Sequence, residues 1–143
     1  MASLYNSEGY FSPTEYEALR RVEREERAAE KSAAFRPIVY ICSPYSHGCI
    51  NTNIENARKY SRFAVDRHYL PITPHIYFTQ FMDDTVSEER ETAIFMNFVL
   101  MSKCVELWVF GDTISAGMKA EIERAERKRM KIRYFTEELE EKK

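Results

Sequence analysis

From Pro37 onward, short continuous apolar runs rich in β-formers alternate with stretches of helical period, and this alternation predicts an α/β fold. Strands that alternate with helices pair in parallel through right-handed crossovers, so the expected core is a small parallel sheet of about four to five strands. The chain of 143 residues is about the size of one domain, enough for a single such core.

Residues 1–36 are set apart as an N-terminal helical extension. In "FSPTEYEALRRVEREERAAEKSAAF", Ser12 is a candidate N-cap, Pro13 fits the first helical position and Glu15 stands at N3, which predicts a helix over 13–31. Its apolar positions (Tyr16, Leu19, Val22, Ala28, Ala29) are sparse: either one thin stripe packs on something, including a neighbouring subunit, or the helix is solvated. Residues 37–143 form the α/β domain. "IVYIC" (38–42) is the first strand, and "NTNIENARKYSRFAVDRH" (51–68) is a helix with Ile54, Ala57, Ser61, Ala64 and Val65 on one face. "YLPIT" (69–73) is the second strand, and "EERETAIFMNFVLMSKC" (88–104) the next helix. "VELWVF" (105–110) is the third strand, followed by a helix over 116–129, a fourth strand "KIRYF" (131–135) and the charged tail "TEELEEKK". The expected architecture is a flavodoxin/Rossmann-like three-layer sandwich.

Composition narrows the partners. A net charge of −2, with 44% hydrophobic and 31% charged residues, is that of a soluble globular protein without the basic footprint of a nucleic-acid polymer binder. No apolar run approaches the roughly 20 residues of a membrane span, and the N-terminus lacks the basic-then-apolar order of a secretory signal, so a cytoplasmic location without membrane contact is expected. Cys42, Cys49 and Cys104 contain no CxxC pair; all three are read as reduced, with Cys42 and Cys104 buried. His47, His68 and His75 lack metal-ligand spacing, and no metal is expected.

Ligands of open parallel sheets bind at the carboxyl ends of the strands, which singles out "SPYSHGCINTN" (43–53), "PHIYFTQFMDDTVS" (74–87) and "GDTISAG" (111–117). The first and third feed helix N-termini, where backbone N–H groups favour an anion such as phosphate. Neither has the glycines of a Walker or dinucleotide fingerprint, so neither ATP nor NAD binding is expected. On the 116–129 helix, Met118, Ile122 and Ala125 form an apolar stripe and Glu121 falls on its edge, facing the sheet. The helix dipole is expected to keep Glu121 ionised. It then serves either the helix N–H groups or, as a nucleophile, an oxocarbenium-like sugar carbon. Ser43, Ser46 and Ser115 can bond phosphate oxygens, Ser115 being equally a natural N-cap. Tyr40, Tyr45, Tyr77 and Phe78 can stack a base or pack the core and rim, and His75 is a polar site group or a structural histidine. Asp83 and Asp84 read as a solvated loop.

The succession of "VYICSPYS", "NIENARKYSRFAVDRHYLPITPH" and "CVELWVFGDTISAGMKAEIERA" resembles the nucleoside 2-deoxyribosyltransferase-like superfamily over about residues 37–135. The resemblance includes its deoxynucleoside 5′-monophosphate N-glycosidases and short bacterial and phage proteins. It implies that Glu121, set in the pattern by Gly117 and Ala125, attacks C1′ of the sugar and releases the base. It also implies that Ser115 contacts phosphate, that Tyr40 lies near the reacting sugar, and that the loop from Ser43 through Pro44, Tyr45 and Ser46 to Gly48 binds substrate. His75, Asp112 and Met118 complete the implied substrate site. Two positions depart from the superfamily: Asn97 replaces an acid on the helix before the third strand, and Val105 replaces the acid of "CDELWVFG". An amide can bind but cannot act as a general base. The expected function is therefore binding of a nucleotide or a nucleotide-derived small molecule with cleavage or transfer of its N-glycosidic bond. The alternative is a catalytically silent nucleotide-binding protein that senses or sequesters a signal. No cofactor is implied; a homodimer or higher homo-oligomer is.

Overall fold

The computed structural model of the protein describes residues 13–143. The chain divides into two compact units, Met1–Phe35 and Arg36–Lys143. In the first, α1 (Pro13–Ala34) opens on proline, whose missing N–H costs nothing at that position. The expected cap, Ser12, lies outside the described residues. The side chains of α1 are nearly all exposed, Leu19 and Val22 included.

The second unit runs β1 (Ile38–Cys42), α2 (Ile50–Asp66), β2 (Leu70–Ile72), α3 (Pro74–Tyr77) with a 3-10 turn over Phe78–Gln80, α4 (Ser87–Met101), β3 (Glu106–Phe110), α5 (Ala116–Arg127) and β4 (Lys131–Phe135). The four strands form one parallel sheet in the order β2-β1-β3-β4, the first four strands of the flavodoxin-like arrangement. The α3 turn and the 3-10 turn occupy what the sequence predicts only as a loop.

Three helices stop earlier than their periodicity predicts: α4 ends at Met101, three residues short of 104, and the other two end in a shared way. α2 ends at Asp66 and α5 at Arg127, each two residues short, because His68 and Arg129 turn the backbone into the left-handed region at φ 70° and 57°. In both, the chain then closes the same capping pattern. Tyr69 N–H bonds the Ala64 carbonyl at 2.9 Å and His68 N–H the Val65 carbonyl at 3.0 Å; Met130 bonds Ala125 and Arg129 bonds Glu126 at 2.9 and 3.0 Å. Neither stop carries the glycine that usually marks one.

Strand alternation divides the core between two faces. Tyr40, Cys42, Leu107 and Val109 pack with Met101, Met118 and Ala125 from α4 and α5. Val39, Ile41, Trp108, Phe110 and Phe135 pack with Tyr60 and Ala64 from α2. The reason is topological: the step from β1 to β2 runs one way across the sheet and the step from β2 to β3 the other, so right-handed crossovers set α2 and α4 on opposite faces. Cys42 and Cys104 are buried and Cys49 is exposed.

The charged tail is tied in. Leu139 packs on the α2-side core, Glu141 pairs with Phe135 as an antiparallel bridge, and Arg133 grips the Glu141 carboxylate through two bonds of 2.8 Å. Lys142 Nζ reaches the Gly111 carbonyl at 3.1 Å and Asp112 Oδ1 at 2.8 Å.

Candidate functional site

Where strand order reverses, the loops leaving β1 and β3 diverge and open a crevice at the carboxyl ends of the strands. It is a cleft of about 440 Å³, within the roughly 300–1,000 Å³ of small-molecule sites. Four segments wall it, with Asp84 at the rim: Ser43, Tyr45, Ser46 and His47 after β1; Pro74, His75, Phe78 and Thr79 around α3; the α4 face of Arg90, Ala93, Ile94, Asn97 and Phe98; and Ser115 to Met118 with Ala120 and Glu121 at the start of α5.

Each wall is held by local chemistry. The Asn53 amide donates to the Tyr45 and His47 carbonyls at 2.6 and 2.7 Å, and Gly48 takes φ +84° where the loop turns into α2. His75 Nε2 lies 3.0 Å from Ser43 Oγ, with the Tyr45 ring set edgewise at 6.4 Å. Burial pushes the His75 imidazole down to about 4, so it is neutral at physiological pH. Ser115 is the N-cap of α5, its Oγ accepting from Met118 N–H at 3.3 Å, which leaves its hydroxyl proton free to donate toward the cleft.

Glu121 sits on the inner wall. Tyr40, buried in the core behind it, hydrogen-bonds its carboxylate, while Oε2 is buried with no hydrogen-bond partner among the described residues. Desolvation raises the carboxyl from 4.5 to about 8, although the Tyr40 bond opposes the rise. This corrects the expectation that the helix dipole keeps Glu121 ionised. The dipole effect falls off within the first turn, and Glu121 lies beyond it in a pocket that penalises charge. The Tyr40 phenol is itself held well above its ordinary value, first by burial and then by Glu121.

Of the sequence-predicted site residues, Ser43, Tyr45, Ser46, His75, Asn97, Ser115, Gly117, Met118 and Glu121 meet in the cleft, with Tyr40 beneath it. Pro44 and Asp112 do not line it; the Asp112 carboxylate is engaged by Lys142 instead. Phe78 lines the cleft while Tyr77 is exposed outside it, and Val105 stands before β3, at the opposite end of the strand from the cleft. No residue of α2 lines the cleft, so of the two helix N-termini expected to receive an anion only that of α5 reaches it. Arg90 was not among the expected residues, nor were Ala93, Ile94 and Phe98. Their signal is the helical spacing 90, 93, 94, 97, 98, which on sequence alone reads like any core-facing stripe.

A family described as a domain of unknown function, DUF7768, matches residues 37–135. The chain belongs to this family. The DUF7768 domain begins one residue before β1 and ends with β4, and every residue that lines the cleft falls inside it. No curated protein matches the chain.

Within the DUF7768 cleft the polar groups are a neutral carboxyl, the neutral imidazole of His75, the imidazole of His47, an amide, hydroxyls, the Arg90 guanidinium and the Asp84 carboxylate at the rim. Among the described residues no cluster of three or more His, Cys, Asp or Glu could hold a metal ion, and no helix is long and apolar enough to cross a membrane. The arrangement suits an uncharged or anionic ligand with an apolar body, presented to a carboxyl group kept out of water.

Proposed function

We propose that the cleft binds a nucleotide or a nucleotide-derived small molecule and that Glu121 cleaves or transfers its N-glycosidic bond. The superfamily resemblance suggests the chemistry. The observation that carries it is the Glu121 carboxyl, buried with Oε2 unpartnered in a cleft at the carboxyl ends of a parallel sheet. In its ionised form Glu121 attacks C1′ of the sugar; the bond from C1′ to the base nitrogen breaks and its electron pair leaves with the base. Water or a second base then takes the glycosyl group from the carboxylate. Positive charge developing on the sugar favours the anion that burial disfavours. Tyr40 holds the carboxylate by its hydrogen bond, the Ser115 hydroxyl and Arg90 face the phosphate, and Phe78 and Tyr45 offer ring faces for the base.

The reaction needs neither metal nor organic cofactor. The outer face of α4 exposes Phe95 and Val99, which suits a homodimer or higher homo-oligomer, and three free thiols suit a cytoplasmic protein. A second reading, a silent nucleotide-binding protein, is favoured by Asn97, which cannot serve as a base, and by a Glu121 that is largely protonated at neutral pH. Incubation of the protein with nucleoside monophosphates, followed by chromatography of the released base, separates the two. Release by wild type that Glu121→Ala abolishes supports the enzyme. Nucleotide that binds and is recovered intact supports the sensor, and no binding of any nucleotide defeats both.

A further inference from the structure

Two oxygens in the cleft are buried without a hydrogen-bond partner among the described residues: Glu121 Oε2 on α5 and Asn97 Oδ1 on α4. Both residues line the same cleft, on two helices that touch. The Arg124 guanidinium, one turn beyond Glu121, lies 5.2 Å from the ring centre of Phe98, the residue after Asn97, so α4 and α5 meet along this stretch. A buried polar atom left unpaired is costly, and two of them on adjoining walls of one cleft point to a ligand group. That group must be able to serve both oxygens. A protonated carboxyl needs an acceptor and an amide oxygen needs a donor, and a hydroxyl is both at once. When Glu121 ionises, the same hydroxyl donates to it instead.

Stereochemistry then says which hydroxyl. Displacement at C1′ requires the attacking oxygen to approach from the face opposite the base, and in a β-ribonucleoside the 2′-hydroxyl projects from that same face beside C1′. Resting on the nucleotide reading above, we infer that the ligand's sugar is a ribose whose 2′-hydroxyl bridges Glu121 Oε2 and Asn97 Oδ1. A 2′-methylene leaves both oxygens dry and unpaired. Asn97 is in this way a specificity residue for the sugar, holding the 2′-hydroxyl while Glu121 is protonated.

The test compares three monophosphates of one base, carrying ribose, 2′-deoxyribose and arabinose, whose 2′-hydroxyl points from the opposite face. Titration calorimetry gives the ratio of Kd values, or kcat/KM gives it where base is released. Wild type is expected to favour the ribonucleotide by ten- to hundredfold over both others. Asn97→Ala and Asn97→Leu are expected to shrink that preference below about threefold by weakening the ribonucleotide alone. Equal binding of the three sugars overturns the inference while leaving the nucleotide reading intact, as does a preference that survives both variants. The wild-type comparison decides even where a variant does not fold. Failure of every monophosphate to bind defeats the nucleotide reading, and this inference with it.

Discussion

Glu121 makes the unfolding free energy of this protein fall with rising pH, and Glu121→Gln removes that fall. The folded protein holds the Glu121 proton up to about 8, whereas in the unfolded chain the carboxyl titrates at its ordinary 4.5. As pH rises through this window the unfolded state releases the proton first, so stability is full below 4.5, declines between the two values and levels off above 8. At 1.36 kcal/mol per pH unit the whole decline is on the order of 5 kcal/mol, and the part already lost at pH 7 about 3 kcal/mol. Those are large shares of a typical domain stability of about 5–15 kcal/mol. His75 has the opposite slope: its folded value of about 4 lies below the ordinary 6.5, so its contribution is full above 6.5 and is lost as pH falls toward 4. From these two groups wild type should show a plateau between about 4.5 and 6.5 and a fall above it. Glu121→Gln, which keeps Tyr40 as a partner but cannot ionise, should rise to 6.5 and then stay flat. Urea unfolding of both proteins at half-unit steps from pH 5 to 8.5 reads the difference directly, because the His75 contribution cancels in it. Parallel curves would show that burial does not govern this carboxyl, and the argument for a dry site would go with it.

Other perturbations separate fold from function. Gly117 lies in the first turn of α5, where an added Cβ meets nothing within 4 Å. Gly117→Ala should therefore stabilise the protein by up to about 1 kcal/mol in thermal unfolding while weakening nucleotide binding at least tenfold, since the methyl group enters the cleft. Arg90 is exposed at the cleft wall with no ion pair among the described residues, so Arg90→Ala should leave stability within about 0.5 kcal/mol. It should raise the Kd for a monophosphate roughly tenfold and flatten its dependence on salt; unchanged calorimetric titrations would remove Arg90 from the site. Phe95, 67% exposed on the outer face of α4, should be an interface residue. Analytical ultracentrifugation of Phe95→Glu should then show a folded monomer where wild type associates, and identical sedimentation of the two would refute it.

The sheet was legible because its signals are local. Apolar runs such as "IVYIC" and "VELWVF" can be little but buried strands, and the three loops at their carboxyl ends follow from topology alone. Helix stops were read less well, since His68 and Arg129 take a left-handed turn that nothing in their chemistry announces. In the site, Glu121 and Ser115 could be found from one helix because their spacing places them on it. Arg90, Ala93, Ile94 and Phe98 could not, because whether a helical stripe meets core or cleft depends on the neighbour it faces, and that neighbour, α5, lies far along the chain. The protonation of Glu121 was misread for the same reason. A dipole belongs to the helix itself, whereas dryness is conferred by Tyr40 and by α4. The tail, read as charge alone, is fastened by Leu139 and by the Glu141 pair with Arg133.

The two borders of the sheet are both shut, by different means. β2 is three residues long with Pro71 at its centre, which has no N–H to offer another strand. Beside β4 the chain's own tail already occupies backbone groups, Glu141 bridging to Phe135 and Lys142 N–H bonding the Tyr134 carbonyl at 2.7 Å. Lengthening of the sheet by a strand from another molecule is therefore blocked on either side, and with it the commonest route by which parallel sheets aggregate. Association is diverted to the helical layers, where contacts are made by side chains and can be changed one residue at a time.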